Sequence, residues 1–281
     1  MDGSDQAVWL DGELVASAIA RVSPFDHGMT VGDGVFETLK ILRGTPFAAR
    51  RHLGRLRRSA AGLGLAVPLD DAALRRAMQA VVDANEIELG RLRLTVTGGA
   101  GPLGSDRGAA SPTVLVAAGL LPECERSTGV VTVPWPRNER GALAGLKSTS
   151  YAENVVALAH AHERGASEAL FANTLGNLCE GTGTNVFVVV GGRLTTPPLT
   201  AGCLAGITRE LVCELLGDRV DVTDVPMARL AEVEEAFLTS STRDVQPIHS
   251  VDGRPLPTTA GPRTSEAATA FAELQARDLD P

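Results

Sequence analysis

Segments with strand-like and helix-like patterns follow one another irregularly along this sequence. Residues 30–42 open with a Gly-rich turn and continue as a strand of alternating character. Apolar residues at helical spacing then predict helices over 50–65 and 70–85, and the strands RLRLTV and TVLVAAG flank a Gly-rich loop at 98–108. Because strands and helices are mixed without a regular βαβ repeat, we predict an α+β fold.

The length of 281 residues favours one large domain or two modest ones. Residues 119–128 contain a proline and several charges between two apolar strands, which is typical of a linker. We therefore predict a small N-terminal domain over 1–118, a linker over 119–128, and a larger C-terminal domain over 129–281. The second domain holds the strands GVVTVPW, EALFAN, NVFVVV and EEAFLTS, with helices near 152–163, 206–216 and 264–276.

Composition excludes several kinds of partner. The net charge is −8 and no long basic run occurs, which disfavours nucleic acid or an anionic membrane as a partner. No stretch approaches the roughly 20 apolar residues of a membrane-spanning helix, and the N-terminal residues have no secretory pattern. The four cysteines lack metal-type spacing. We expect free thiols, no metal site and a cytoplasmic location.

Lysine is scarce in this chain. Lys40 and Lys147 are its only lysines, while the other 24 basic residues are arginines. A guanidinium cannot replace an amine that must form an imine, so each surviving lysine is a candidate nucleophile. Lys147 lies in GLKSTSYAENVVAL, between a strand-like approach and a helix, where partial burial would free its amine. The alternative is a lysine that only caps a loop.

Three further segments carry polar groups suited to one anionic cofactor. Glu180 lies before a Gly-rich turn in LCEGTGTNVFVV, where a buried carboxylate needs a cationic partner, although a surface or capping glutamate is the alternative. A helix begins at Gly206-Ile207-Thr208, and its first amides can bind phosphate. A hydroxyl-rich turn contains Ser241 and Thr242. Each turn alone is ordinary, but the set together is more specific.

These motifs resemble the class IV aminotransferases, the fold-type IV family of pyridoxal-phosphate enzymes. The resemblance rests on Lys147, on Glu180 in E-G-x-G-x-N-V-F, on Gly206-Ile207-Thr208 and on S-S-T-x-D-V-x-P-I. GDGVFETLKI and R-H-L-x-R-L-x-x-S-A extend it into the N-terminal half, over about residues 8 to 275. It implies a two-domain α+β enzyme with pyridoxal 5′-phosphate as cofactor. It also implies a homodimer, with each active site between the two domains.

The resemblance also implies roles for individual residues. Lys147 binds the cofactor covalently and moves the substrate proton. Glu180 keeps the pyridine nitrogen protonated, and Phe36 and Glu37 belong to a strand whose side chains line the substrate side. The residues that would bind the phosphate are Arg55, Gly206, Ile207, Thr208, Ser241 and Thr242.

Three residues bear on which family member this chain resembles most. The Gly-rich loop has no His or Tyr, so Arg107 is the candidate there for a substrate carboxylate, unless it is a solvated loop charge. Arg243 lies beside the hydroxyl-rich turn and is a second candidate, unless it pairs with Asp244 or Glu234. Thr38 resembles a hydroxyl that some lyases carry at this place.

Together with KSTSYAENVVAL, these features favour a small-molecule lyase. The first hypothesis is a 4-amino-4-deoxychorismate lyase that serves folate synthesis by releasing pyruvate and 4-aminobenzoate. The second is an aminotransferase for D-amino acids rather than branched-chain ones, and one protein can have both activities. The third is a protein that binds the cofactor without turnover, which the retained lysine, carboxylate and phosphate turns argue against.

Overall fold

A computed structural model describes residues 6–121 and 123–281 of the chain. The residues form two compact units, which are described separately. Unit 1 comprises Met1–Pro122, Leu146–Tyr151 and Asp278–Pro281. Unit 2 comprises Glu123–Gly145 and Ala152–Arg277.

Unit 1 is built on a six-stranded antiparallel sheet in the order β2-β1-β6-β5-β3-β4. Its strands are β1 (Ala7–Leu10), β2 (Glu13–Ala16), β3 (Gly34–Leu42), β4 (Thr45–Pro46), β5 (Leu89–Thr97) and β6 (Thr113–Leu120). Its helices are α1 (His27–Thr30), α2 (Ala49–Gly62) and α3 (Asp71–Ala84). The predicted helices over 50–65 and 70–85 are thus confirmed to within a few residues.

The side chains of β3 and β5 alternate between the apolar core and the opposite face of this sheet. Leu39 of β3 and Leu92 and Leu94 of β5 are fully buried, and they pack in one apolar cluster with residues of α2 and α3. Side chains of a strand point alternately to opposite faces, so the intervening residues lie on the other face. That second face carries Phe36 and Thr38 of β3.

The segment around Lys147 pairs with the edge of β3. The backbone nitrogen of Phe36 donates to the carbonyl oxygen of Lys147 (3.0 Å), and Thr149 N donates to Gly34 O (2.8 Å). Lys147 N donates to the Ser59 hydroxyl of α2 (3.0 Å). These bonds explain why Leu146–Tyr151 groups with unit 1. The predicted C-terminal domain over 129–281 includes Lys147, because chain order alone does not reveal this pairing.

Unit 2 contains a nine-stranded mixed sheet in the order β12-β11-β10-β13-β14-β7-β8-β9, with β15 paired to β14. Its strands are β7 (Thr128–Thr132), β8 (Glu168–Ala172), β9 (Leu178–Gly181), β10 (Asn185–Val190), β11 (Arg193–Thr196), β12 (Val220–Val222), β13 (Glu235–Ser240), β14 (Asp244–Val251) and β15 (Arg254–Pro255). Its α-helices are α4 (Ala152–His162), α5 (Ile207–Leu216) and α6 (Pro262–Arg277), and short 3-10 helices cover Leu199–Ala201, Gly217–Arg219 and Met227–Glu232.

Strand β10 is a buried strand that begins beside the end of β13. All six of its residues are buried, as expected for an apolar run covered on both faces. It begins at Asn185, which pairs with Thr239 near the end of the antiparallel strand β13. The turn after β13 and the turn before β10 therefore lie at the same end of the sheet. Within the described ranges no helix is long and apolar enough to cross a membrane.

Candidate functional site

In unit 1 the amine of Lys147 lies against aromatic rings. Its Nζ atom is 4.5 Å from the ring centre of Phe36 and 5.7 Å from that of Tyr151. The two rings meet edge to face at 5.2 Å, and Phe36 is buried. A cation beside aromatic faces is held by their quadrupoles while its access to water falls. The structure thus brings Phe36 and Lys147 together, as the resemblance implies.

The same face of the sheet carries the guanidinium of Arg93, which is not among the residues predicted from the sequence. Arg93 of β5 is the cross-strand partner of Thr38, so the two side chains lie side by side on the face of Phe36. The Arg93 Cζ atom is 3.7 Å from the Phe36 ring centre. Arg93 remains exposed to solvent, and partial desolvation lowers its pKa. Its Nε atom donates to Thr95 Oγ1 (3.3 Å), and no carboxylate among the described residues pairs with it. This face can therefore accept an anion beside the lysine amine.

Arg55 lies on the other side of β3 in a buried cluster with Glu37. The expectation that Glu37 lines the substrate side with Phe36 is therefore wrong, because successive side chains of a strand point to opposite faces. The Nε and Nη2 atoms of Arg55 donate to both carboxylate oxygens of Glu37 (2.9 and 2.6 Å), and His52 Nδ1 is 2.6 Å from Glu37 Oε2. Burial would raise the pKa of Glu37, but Arg55 and His52 outweigh it and lower the pKa to about 2. Burial also lowers the pKa of His52. The predicted phosphate ligand Arg55 is thus oriented by an ionised carboxylate.

Arg107 holds the Gly-rich loop to the rest of unit 1. Its Nε and Nη2 atoms donate to the carboxylate of Asp33 (2.5 and 2.6 Å). Nη1 donates to Gly64 O (2.7 Å) and Nη2 also to Leu63 O (2.8 Å). The bond to Asp33 raises the pKa of Arg107. With all three nitrogens engaged, its role as a substrate ligand stays a sequence prediction, and Arg93 becomes the stronger candidate.

In unit 2 the carboxylate of Glu180 stands at the end of β9, next to the start of α5. Its Oε2 atom accepts from Leu204 N (2.8 Å), and its Oε1 atom is 3.3 Å from Arg137 Nε. The carbonyl of Leu204 in turn accepts from the side chain of Asn185 (2.9 Å). Glu180 and the residues before α5 are thus joined by direct hydrogen bonds. A carboxylate of this kind suits a protonated pyridine nitrogen.

The start of α5 has the properties of a phosphate-binding turn. Its N-cap residue Gly206 provides no side-chain cap, and the first amides of the helix, those of Ile207 and Thr208, have no acceptor within the helix. A Cβ atom on Gly206 would lie 1.9 Å from Asn185 Oδ1, so only glycine permits this approach. At the same end of the sheet the buried hydroxyl of Thr239 has no hydrogen-bond partner among the described residues. Glycine, uncapped amides and an orphaned hydroxyl fit a phosphate group.

Ser241 and Thr242 lie in the turn between β13 and β14, at the same end of the sheet as Asn185. Arg243 follows them, and its Nη1 atom donates to Gln246 Oε1 (3.2 Å). Its Nη2 atom donates to Ser167 O (3.2 Å) and is 3.9 Å from the buried carboxylate of Glu168. Arg243 thus has partners within unit 2, though not Asp244 or Glu234. Its role toward a substrate stays a sequence prediction.

Sequence reasoning missed Arg93, Arg137 and His52. One signal was present for Arg93, since it alternates with buried leucines on a strand next to GVFETLK. Arg137 contacts Glu180, which is 43 residues away in the sequence, and His52 contacts Glu37, which is 15 residues away. No local pattern reports such contacts.

The chain matches known proteins over most of its length. Residues 34–251 match the family model described as amino-transferase class IV. The chain is 34% identical to a putative branched-chain-amino-acid aminotransferase of Methanocaldococcus jannaschii, over 88% of each chain. It is 33% identical to a D-alanine aminotransferase of Bacillus licheniformis, over 94% of this chain and 95% of that one. Identity to an aminodeoxychorismate lyase of Bacillus subtilis is 27%, over 97% and 94%.

Solved structures agree with the fold. A branched-chain aminotransferase from Thermoproteus uzoniensis with norvaline superposes with a TM-score of 0.88 at 30% identity, over 96% of this chain and 94% of that one. The branched-chain amino acid aminotransferase from Escherichia coli gives 0.89 at 26% identity, over 96% and 94%. The predicted α+β, fold-type IV class is confirmed.

Proposed function

Since the chain belongs to the class IV aminotransferase family, we propose that it acts as a 4-amino-4-deoxychorismate lyase. Members of this family are pyridoxal-phosphate enzymes, and pyridoxal phosphate is the cofactor of this chain. Within the family the proposed reaction converts one substrate into pyruvate and 4-aminobenzoate. The proposal places the enzyme in folate synthesis.

One observation carries the choice of the lyase. Thr38 and Arg93 are direct cross-strand partners, and Arg93 stacks on the Phe36 ring that lies 4.5 Å from the Lys147 amine. A hydroxyl and a guanidinium side by side suit a substrate with an ether oxygen and a carboxylate on one arm. The enolpyruvyl arm of 4-amino-4-deoxychorismate has both groups. A guanidinium fork is the side chain best matched to such a carboxylate.

The residues of each unit have separate roles in this proposal. Bound pyridoxal phosphate supplies an electron-accepting ring that stabilises negative charge on the substrate carbon. Lys147 is its covalent anchor, and Arg55 binds its phosphate with the α5 amides, Thr208, Ser241 and Thr242. Glu180 accepts the proton of its ring nitrogen in a hydrogen bond. Phe36 and Tyr151 reduce the access of water to the lysine amine.

The amine of Lys147 moves the proton in this reaction. It takes a proton from the substrate carbon that carries the amino group. The bond between the neighbouring ring carbon and the ether oxygen then breaks, and its electron pair leaves with the enolpyruvyl group. Protonation of that group gives pyruvate, and the ring becomes aromatic. Arg93 holds the departing carboxylate, and Thr38 donates to the ether oxygen.

An aminotransferase for D-amino acids is the second candidate. It is favoured by the 33% identity to a D-alanine aminotransferase, which exceeds the 27% to the lyase. Lys147 would then return its proton to the cofactor rather than promote loss of a leaving group. The carboxylate that Arg93 binds would be that of the amino acid.

Product analysis separates the two candidates. The purified protein with pyridoxal phosphate is incubated with 4-amino-4-deoxychorismate and, separately, with D-alanine and 2-oxoglutarate. Equal amounts of pyruvate and 4-aminobenzoate in the first mixture support the lyase. D-glutamate in the second mixture with no 4-aminobenzoate in the first would remove the lyase and leave the aminotransferase. Absence of product in both would leave cofactor binding without turnover.

Substitution of Arg93 tests the substrate contact. Arg93→Gln removes a charge-assisted hydrogen bond, so kcat/KM should fall about 10- to 100-fold, mainly through KM. Arg91→Gln is the matched control, because Arg91 lies on the same strand and face but opposite Lys40. Equal losses in the two variants would show that a general loss of positive charge, and not a contact of Arg93, is responsible.

We also propose that the protein is a homodimer, as the family resemblance implies. Sedimentation should then give about twice the 29.2 kDa of one chain. A species of one chain only, with activity retained, would contradict this.

A further inference from the structure

Arg137 is a partly buried cation that the reaction scheme above does not use. It precedes α4 in unit 2, and its side chain is 15% exposed. Its Nη2 atom donates to Asn154 Oδ1 (3.0 Å), and its Nη1 atom donates to Glu153 Oε2 (3.2 Å). The guanidinium also stacks on Phe171, with Cζ 4.2 Å from the ring centre. These contacts fix the plane of the guanidinium.

The remaining nitrogen of Arg137 faces the cofactor-binding carboxylate. Nε lies 3.3 Å from Glu180 Oε1 without the alignment of a hydrogen bond, and it is a buried atom with no hydrogen-bond partner among the described residues. The other carboxylate oxygen accepts from Leu204 N. Glu180 is thus held at one oxygen by the backbone, and at the other it is attracted by a fixed charge.

Two neighbouring thiols contribute no charge beside Glu180. Burial, together with the charge of Glu180, raises the pKa of Cys179 above its usual range. Burial and Glu180 likewise raise the pKa of Cys203 to about 12. Both thiols therefore stay protonated and uncharged at neutral pH. The positive charge beside Glu180 comes from Arg137.

We propose that Arg137 is a positioning residue that keeps Glu180 ionised and aimed, and thereby limits how strongly Glu180 binds the proton on the ring nitrogen of pyridoxal phosphate. An opposite charge within about 4–6 Å of a carboxylate lowers its affinity for a proton. Arg137 repels that ring proton for the same reason. The inference rests on the proposed role of Glu180, and it holds for lyase and aminotransferase alike.

The test measures the protonation of the ring nitrogen directly. The protein is loaded with pyridoxal phosphate labelled with 15N at the ring nitrogen, and the 15N chemical shift is followed against pH. Arg137→Gln should raise the pKa of the ring nitrogen by about 1 unit, because a positive charge has been removed. An unchanged 15N titration in this variant would overturn the proposal. If the wild-type ring nitrogen stays protonated at every pH at which the protein is folded, the 15N shift of the protonated nitrogen, which follows the strength of its hydrogen bond to Glu180, should differ between the wild type and Arg137→Gln, and an unchanged shift would overturn the proposal.

Three variants keep the result interpretable. Glu153→Gln removes the 79% exposed carboxylate at the far end of Arg137 and should leave the titration unchanged. A fall in the pKa of the ring nitrogen as large as the rise in Arg137→Gln would mean that general charge acts, and would overturn the proposal. Glu180→Gln should lower the pKa of the ring nitrogen. If the pKa of the ring nitrogen is not lowered in Glu180→Gln, the proposed role of Glu180 is wrong. If it is lowered in Glu180→Gln but unchanged in Arg137→Gln, only the inference about Arg137 is wrong.

Loss of a partly buried guanidinium can prevent folding, so Arg137→Lys provides a second route. Its amine keeps the charge but cannot occupy the Nε position, so the pKa of the ring nitrogen should lie above the wild-type value and below that of Arg137→Gln. If the Gln variant does not fold, a Lys variant with the wild-type titration would overturn the proposal. Circular dichroism distinguishes unfolding from loss of the cofactor.

Discussion

Glu37 shows how a single buried carboxylate can orient an arginine and a histidine. It is fully buried, and it binds Arg55 through two hydrogen bonds and His52 through a third. Removing one partner of such a cluster would leave an uncompensated charge in the interior. The cluster therefore fixes the orientation of Arg55.

Acid should destabilise the protein through Glu37. Its pKa is about 2 in the folded chain against 4.5 for the ordinary group, so its stabilisation is complete above pH 4.5 and is lost as pH falls towards 2. The loss amounts to about 3 kcal/mol. Glu37→Gln should flatten this part of the curve of unfolding free energy against pH, measured with urea.

The control for this prediction is Asp71→Asn. Asp71 pairs with Arg57 of α2, but both side chains are substantially exposed, so little stability depends on the pair. If the unfolding free energy of Glu37→Gln falls with decreasing pH as steeply as that of Asp71→Asn, Glu37 is not the source of the acid sensitivity.

Helix α2 is the element that carries this cluster and supports Lys147. His52, Arg55 and Ser59 lie on one buried stripe of the helix, because residues three or four apart share a face. The helix begins after Ala48, which has φ +54 and provides no side-chain cap. The cap comes from Asp280, whose Oδ1 atom accepts from Arg50 N (2.8 Å).

Loss of this distant cap should weaken unit 1. Asp280→Ala removes an acceptor at a helix N-terminus and should lower the free energy of unfolding by about 1 kcal/mol. Asp280→Asn keeps a capping oxygen but loses the ion pair with Arg75, which is partly exposed and contributes little. Urea unfolding should rank the wild type and the Asn variant above the Ala variant. Equal stability of Asn and Ala variants would assign the effect to charge instead.

At the scale of the whole molecule, the groups proposed to hold the cofactor come from distant parts of the chain. Lys147 and Arg55 lie in unit 1, whereas Glu180, Thr208 and Ser241 lie in unit 2. A ligand that binds only the folded chain stabilises it by mass action. Cofactor binding is therefore measurable as stability, independently of turnover.

Lys147→Ala should abolish this stabilisation. Pyridoxal phosphate at about 100 times its dissociation constant should stabilise the wild type by about 2.7 kcal/mol and give a visible absorbance band. Lys40→Arg is the control, since Lys40 is the other lysine of the chain and is 9% exposed. Thermal unfolding with and without cofactor measures the effect. A band that persists in Lys147→Ala would refute the anchor assignment.

The sequence was informative where local pattern determines structure. Helices α2 and α3 and the start of α5 at Gly206 follow from apolar spacing and glycine placement. It was uninformative where long-range pairing decides. Arg107 bonds to Asp33, 74 residues away, and the Lys147 segment bonds to β3. No local rule predicts either contact, so the substrate ligand and the grouping of Lys147 needed the structure.

The setting of the two lysines has a practical consequence for labelling the protein. Lys40 is buried, whereas Lys147 is partly open beside two aromatic rings. Reductive trapping of an imine with borohydride therefore has one side-chain amine within easy reach. Peptide mapping after such trapping should give a single modified side chain and so count competent sites directly. Immobilisation through lysine amines, by the same reasoning, would block catalysis.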